Sequence, residues 1–224
     1  MPALLNSIAS QDFNDYEVIV ADAGSEDRTI EIAETFGCKI AEGGFPPVGK
    51  NQGAKMARGD TLLFVDADVV LPQGFLRSIV EEFGRRELGV ASFLQQSKSK
   101  KDDFLFKLLY NLPSRATERI LPQAMSVILA RKELHNALGG FDEEIKLAEE
   151  LDYVRKGNKV SRFGVLKSSS FYASSRRYSR DGWFKTWGKY LLCQFHMILF
   201  GPVKTDIFKY RFNHYHSSGE EKEV

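Results

Sequence analysis

Thr61-Leu62-Leu63-Phe64-Val65-Asp66-Ala67-Asp68-Val69-Val70-Leu71-Pro72 runs from a continuous apolar segment into two aspartates. Leu62 to Val65 has the unbroken apolar character of a strand covered on both faces, as in parallel sheets. Such a strand releases its chain at a carboxyl edge, where open α/β sheets place their ligands. A carboxylate there must meet solvent, a ligand or a cation, because an unpaired buried charge is very costly. Asp66 and Asp68 lie two apart, so extended geometry puts both on one side. Two hard oxygen ligands suit Mg²⁺ or Mn²⁺, above all when a phosphate completes the shell. The competing reading is a turn followed by a helix cap after Pro72.

Outward from this stretch, strands and helices alternate. A helix near 2–10 precedes a strand at 17–21. Ser25 is expected to cap the next helix, with Glu26 and Asp27 in its first turn. A short strand at 39–41 and a Gly/Pro loop at 42–49 lead to a helix at 50–58. After the Asp66 strand come a helix at 73–86 and a strand at 90–94. The pattern predicts an α/β fold with a doubly wound, mostly parallel sheet flanked by helices.

Beyond 97, a polar run at 97–103 reads as an exposed loop, followed by a long helix at about 104–120 and a strand at 124–130. Gly139-Gly140-Phe141-Asp142 reads as a tight turn before a helix near 147–156 that Gly157 stops, and 160–166 as a strand. Trp183 to Phe200 is apolar, aromatic and helical in pattern. The expected division is 1–180 for the α/β domain, 181–216 for a C-terminal helical extension and 217–224 for a disordered tail. The alternation opens on a helix where a strand is expected, so an opening strand either lies upstream of the first methionine or is absent.

With 224 residues and a net charge of +1, the chain can bury a large core and carries no global field that calls for nucleic acid. Cys38 and Cys193 fit no metal spacing and read as free thiols of a reducing compartment. No signal peptide and no 20-residue apolar span are visible, which points to a cytoplasmic location. Trp183, Phe184, Trp187 and Tyr190 with Lys185, Lys189 and Lys204 also fit an interfacial helix at the cytoplasmic face of a membrane. A helix that merely covers the core is the alternative.

Three further groups carry chemistry. Asp22 ends the first strand and can accept a hydrogen bond from a base or ribose hydroxyl. Glu149-Glu150-Leu151-Asp152 offers a general base or a solvated helix face with an Asp152–Lys156 pair. Arg176-Arg177 suits a pyrophosphate or is a basic collar. Among the histidines, His135 is expected at a helix surface and His196 among apolar residues. His214 and His216 lie near the tail.

Four segments in order resemble family 2 glycosyltransferases: Val18 to Thr29 with Asp22, Gly49-Lys50-Asn51-Gln52-Gly53-Ala54 with Ala57 to Asp60, Phe64 to Asp68, and Gly139 to Asp142 followed by Glu149 to Asp152. The resemblance covers roughly residues 3–180 and implies an inverting enzyme of GT-A fold. It implies contact of Asp22 with the nucleotide base and donor contact for Lys50 and Asn51. It further implies contact of Asp66 with ribose or sugar, Asp68 on the Mg²⁺ or Mn²⁺ that bridges the diphosphate, and Glu150 as catalytic base. Arg176 and Arg177 correspond to a basic pair in some members. The implied donor is a UDP- or GDP-sugar, the acceptor an unspecified hydroxyl, lipid-linked or on a polysaccharide. Ala23 stands where a second Asp is frequent, and Glu150 is one methylene longer than the usual Asp. The Gln-X-X-Arg-Trp motif of processive synthases is absent, which argues for single-sugar transfer. Two other readings remain: a nucleotide-sugar binder without catalysis, and an aspartyl-phosphate phosphatase.

Overall fold

The computed structural model describes residues 1–205, Ile207 and Phe208. The expected tail at 217–224, the end of the extension, His214 and His216 lie outside the described residues.

Strand β1 (Ile19–Asp22) pairs in parallel with β2 (Lys39–Glu42). A second sheet runs in the order β3 (Thr61–Val65), β5 (Val127–Arg131), β4 (Val90–Gln96), β6 (Phe163–Tyr172). In this sheet β3, β4 and β6 point the same way and β5 is reversed. Neither β1 nor β3 has a strand on its outer side among the described residues.

Both faces of the larger sheet are covered, which explains the unbroken apolar run of β3. On one face, helix α1 (Pro2–Ala9) and helix α4 (Phe75–Arg85) bring Leu4, Phe75, Ile79 and Phe83 against Leu63, Val65, Phe93 and Leu129. On the other, α7 (Lys132–Ala137) and α8 (Glu149–Val160) bring Leu134, Tyr153 and Val154 against Phe64, Val90, Ile128 and Val165. Alternate residues of each strand thus enter opposite cores. Helices α2 (Thr29–Thr35) and α3 (Pro46–Met56) pack on the smaller sheet.

Several boundaries differ from the sequence reading. Ser25 caps no helix; Asp22 Oδ2 accepts from the amides of Gly24 and Ser25, and α2 starts only at Thr29. Helix α3 begins at Pro46 rather than Lys50, because prolines need no amide partner in a first turn. The run 97–103 is no simple loop. Ser99 Oγ accepts from Asp102 N at 3.4 Å and starts α5 (Lys100–Phe106). The long helix then breaks into a π-helical turn at Lys107–Asn111 and α6 (Leu112–Ala116), which opens around Pro113. Gly157 stops nothing: it lies inside α8, where a Cβ would come 2.8 Å from Val90 Cγ1. It lets the helix approach the sheet. Strand β6 runs on to Tyr172, six residues past its expected end.

Helix α9 (Arg176–Asp181) and helix α10 (Trp183–Leu199) follow β6. Trp183 Nε1 donates to the buried Asp102 Oδ1 at 2.8 Å and Gln194 Nε2 to Gln123 Oε1 at 2.7 Å. Cys193 and Met197 pack against Leu151 and Val203.

Candidate active site

Strand β3 ends at Val65, and Ala67 and Asp68 form a turn. Strand alternation therefore does not set the directions of the two aspartates, contrary to the extended geometry expected. Asp66 faces inward: its amide donates to Ser126 O at 2.9 Å, and its carboxylate accepts from Ser126. Asp68 is exposed. Two hydrogen bonds between Val70 and Tyr172 (3.0 and 2.9 Å) tie the chain after Asp68 to the end of β6, just ahead of α9.

The centre of the site is Lys50, on the second turn of α3. Its Nζ lies 2.5 Å from Glu150 Oε1 and 2.9 Å from Glu149 Oε1. The charge of Asp66 also reaches it. One cation thus serves three carboxylates delivered by β3 and the first turn of α8. Behind them stands an aromatic wall: Phe141 stacks on Tyr153 at 4.1 Å and meets Phe64 edge-on at 5.0 Å. His135, expected at a surface, is buried here with Nδ1 3.1 Å from Tyr153 Oη, and burial holds it below its ordinary pKa.

Burial and the mutual charges of the cluster set the protonation states. Burial, with Lys50 opposing and Glu150 adding, raises Asp66 to about 6. Burial and then the charge of Glu150 raise Glu149 to about 7. Burial also pushes Glu150 up, but Lys50 outweighs it by charge and hydrogen bond, so Glu150 stays below the usual glutamate range. Against the opposing effect of burial, the carboxylates hold Lys50 above the ordinary lysine value. Glu150 is therefore the ionised member. The solvated-face reading of this acidic run fails, since Glu149 and Asp152 are buried; the Asp152–Lys156 pair does form, at 2.7 Å.

Asn51 is committed within the protein. Its Oδ1 accepts from Phe141 N at 2.8 Å, and its Nδ2 donates to Phe141 O and Glu143 Oε1, both at 2.9 Å. It ties α3 to the Gly139–Phe141 turn and so fixes Lys50 relative to α8. Two residues flanking the cluster take the left-handed backbone that non-glycine residues rarely adopt: Ser126 (φ 63°) and Ala148 (φ 62°). Side-chain pattern gives no sign of either.

Asp22 sits apart from this cluster, at the end of β1, and lines an open cleft of ≈ 440 Å³ with Gly24, Ile30, Ile40 and Gly43. Gly43 is required there: a Cβ would lie 2.4 Å from Asp22 C. Ser25, by side chain first and by backbone also, holds Asp22 below the ordinary aspartate pKa against the opposing effect of burial. Gly49 of α3 packs on Ala21 and Gly43, so the helix that carries Lys50 also backs the cleft.

Arg176 and Arg177 are exposed on α9. The Met1 amine senses Arg176, Asp68 and Asp27 together, with burial the main cause of its lowered pKa and Arg176 the next. Among the described residues no three His, Cys, Asp or Glu side chains gather as a cation cage. A single exposed carboxylate such as Asp68 fits a cation shared with a phosphate rather than one caged by protein, as is usual for Mg²⁺.

A sheet with helices on both faces and acidic groups at its carboxyl edge defines the class, and solved structures agree on the GT-A fold. The structure of Staphylococcus aureus TarS 1-349 in complex with UDP-GlcNAc superposes with a TM-score of 0.62 at 26% identity, over 77% of this chain and 54% of that one. The mannosyltransferase PcManGT from Pyrobaculum calidifontis, in complex with GDP-Man and Mn²⁺, gives 0.61 at 19% identity, over 85% and 57%. The chain belongs to glycosyl transferase family 2, whose model matches residues 1–136. Poly(ribitol-phosphate) beta-N-acetylglucosaminyltransferase TarS of Staphylococcus aureus (strain Mu50) is 25% identical over 199 residues, 78% of this chain and 33% of TarS. The chain thus spans about a third of the length of this curated relative.

Proposed function

We propose that this chain transfers one sugar from a nucleotide-diphosphate sugar to an acceptor hydroxyl, with inversion at the anomeric carbon. The observation that supports it best is the Lys50 cluster, which keeps Glu150 ionised beside Asp66 in a water-poor setting. Glu150 takes the acceptor proton as the acceptor oxygen bonds to the anomeric carbon. The bond from that carbon to the diphosphate oxygen breaks, and its electron pair leaves with the nucleoside diphosphate. Asp22 and the cleft at β1 and β2 receive the base, and Asp66 contacts ribose or sugar. Arg176 and Arg177 offer guanidinium groups to the diphosphate. Asp68 would hold a divalent cation, Mg²⁺ or Mn²⁺, together with the diphosphate; when bound, it supplies charge neutralisation to the leaving group. Lys50 positions and ionises Glu150, and Asn51 holds Lys50 in register.

UDP-sugars are the first donors to test, because the TarS structure with 26% identity binds UDP-GlcNAc. Titration calorimetry with UDP-GlcNAc and Mn²⁺, followed by a donor-hydrolysis assay, tests the reading. Glu150→Gln should retain donor binding within about threefold and lose at least about 100-fold in turnover. Wild-type turnover in that variant would remove Glu150 from the role. Unchanged Mn²⁺-dependent donor binding in Asp68→Ala would remove Asp68 from the cation.

A further inference from the structure

Helix α10 is apolar on two faces, and the described residues cover only one. Cys193, Gln194 and Met197 are buried against the body of the fold. On the far side Phe184 is 90% exposed, Leu192 61%, Phe195 59%, Ile198 54% and Leu199 70%. At about 100° per residue these five fall within an arc roughly 120° wide. Lys185 and Lys189, both exposed, border that arc on one side. Phe200, just past the helix, is also exposed. Charge is one-sided as well: residues 182–203 contain no acidic side chain, and Arg176, Arg177 and Arg180 lie just upstream with Asp181 as the single acid.

We infer that this face of α10 docks on an anionic lipid surface, with its long axis in the plane of the interface. A helix that lies in an interface needs an apolar stripe, aromatic residues and a basic border, and α10 has all three. Aligned lysines gain most against negatively charged lipid headgroups. A second copy of the chain is the competing occupant of the apolar stripe, but it would leave the basic border without an anionic partner, because residues 182–203 carry no acid. No described helix is long and apolar enough to cross a membrane, so the contact is lateral. The inference does not depend on sugar transfer, and its test needs no donor.

The test is flotation of the full chain with phosphatidylcholine vesicles, with and without phosphatidylglycerol. Flotation should be about tenfold stronger with phosphatidylglycerol and fall steeply at high salt. Phe195→Glu combined with Ile198→Glu should abolish flotation without lowering Tm, since both side chains are exposed. Lys185→Glu combined with Lys189→Glu, which leaves the apolar stripe intact, should erase the preference for anionic vesicles. Failure to float with either vesicle, or flotation unchanged in both variants, would overturn the inference. So would a dimer in sedimentation equilibrium that the Phe195/Ile198 variant dissociates, which would assign the face to a second copy.

Discussion

Replacing Lys50 by methionine should be the most informative single change. The side chains concerned are 13% (Lys50), 7% (Glu149) and 15% (Glu150) exposed. These are buried pairs, so the small values typical of surface salt bridges do not apply. Removing one partner of a buried pair costs about 3–5 kcal/mol, because the remaining charge loses its compensation. Here the loss leaves three carboxylates around an apolar gap. For a chain of this size each kcal/mol lowers Tm by about 2–4 °C, so Tm should fall by about 6–20 °C. The effect must depend on pH. Without Lys50 the carboxyls of the folded state take up protons more readily than those of the unfolded chain, and stability falls as pH rises. Urea unfolding at about pH 5.5 and about pH 8 reads this out, and the loss should be clearly smaller at the lower pH, where Glu149 carries its proton. A loss under about 1 kcal/mol at the higher pH, or the same loss at both, would refute a Lys50-centred cluster.

Three other outcomes follow from named contacts. In Glu149→Gln the stability difference from wild type should grow in favour of the variant as pH rises from about 4.3, the unfolded glutamate value, to about 7. The folded pKa is the raised one, so the native state releases its proton last; parallel melting curves across this window would contradict it. Gly157→Ala should cost about 1–3 kcal/mol by driving a methyl into Val90, measurable by thermal melting. Asn51→Ala should cost about 1–3 kcal/mol by leaving the buried Phe141 amide unpaired, and hydrogen exchange should show faster exchange at residues 139–143.

The sequence was most readable where one residue type has one physical use. The apolar run into Asp66 and Asp68 required a doubly covered strand at a sheet edge, and β3 is that strand. Pro46 was misread as a loop marker because a proline suits both a loop and a first helical turn. Gly157 was misread for a similar reason: a glycine can end a helix or let one approach a sheet. Only the packing partner, Val90, tells the two apart. His135 and the acidic turn of α8 look like surface residues in a one-dimensional pattern, yet His135 is buried against Phe141 and Tyr153, and Glu149 is buried against Lys50.

By itself, then, the chain determined the α/β alternation, the carboxyl-edge aspartates and an acidic helix start downstream, because local periodicity and turn chemistry are written in neighbouring residues. Tertiary structure alone decided that Lys50, 99 residues from Glu149, would neutralise the acids of α8 and separate their pKa values. It also turned Asp66 inward and Asp68 outward, and left one apolar face of α10 exposed among the described residues. Burial and charge coupling depend on distances across the fold, and no spacing along the chain encodes them.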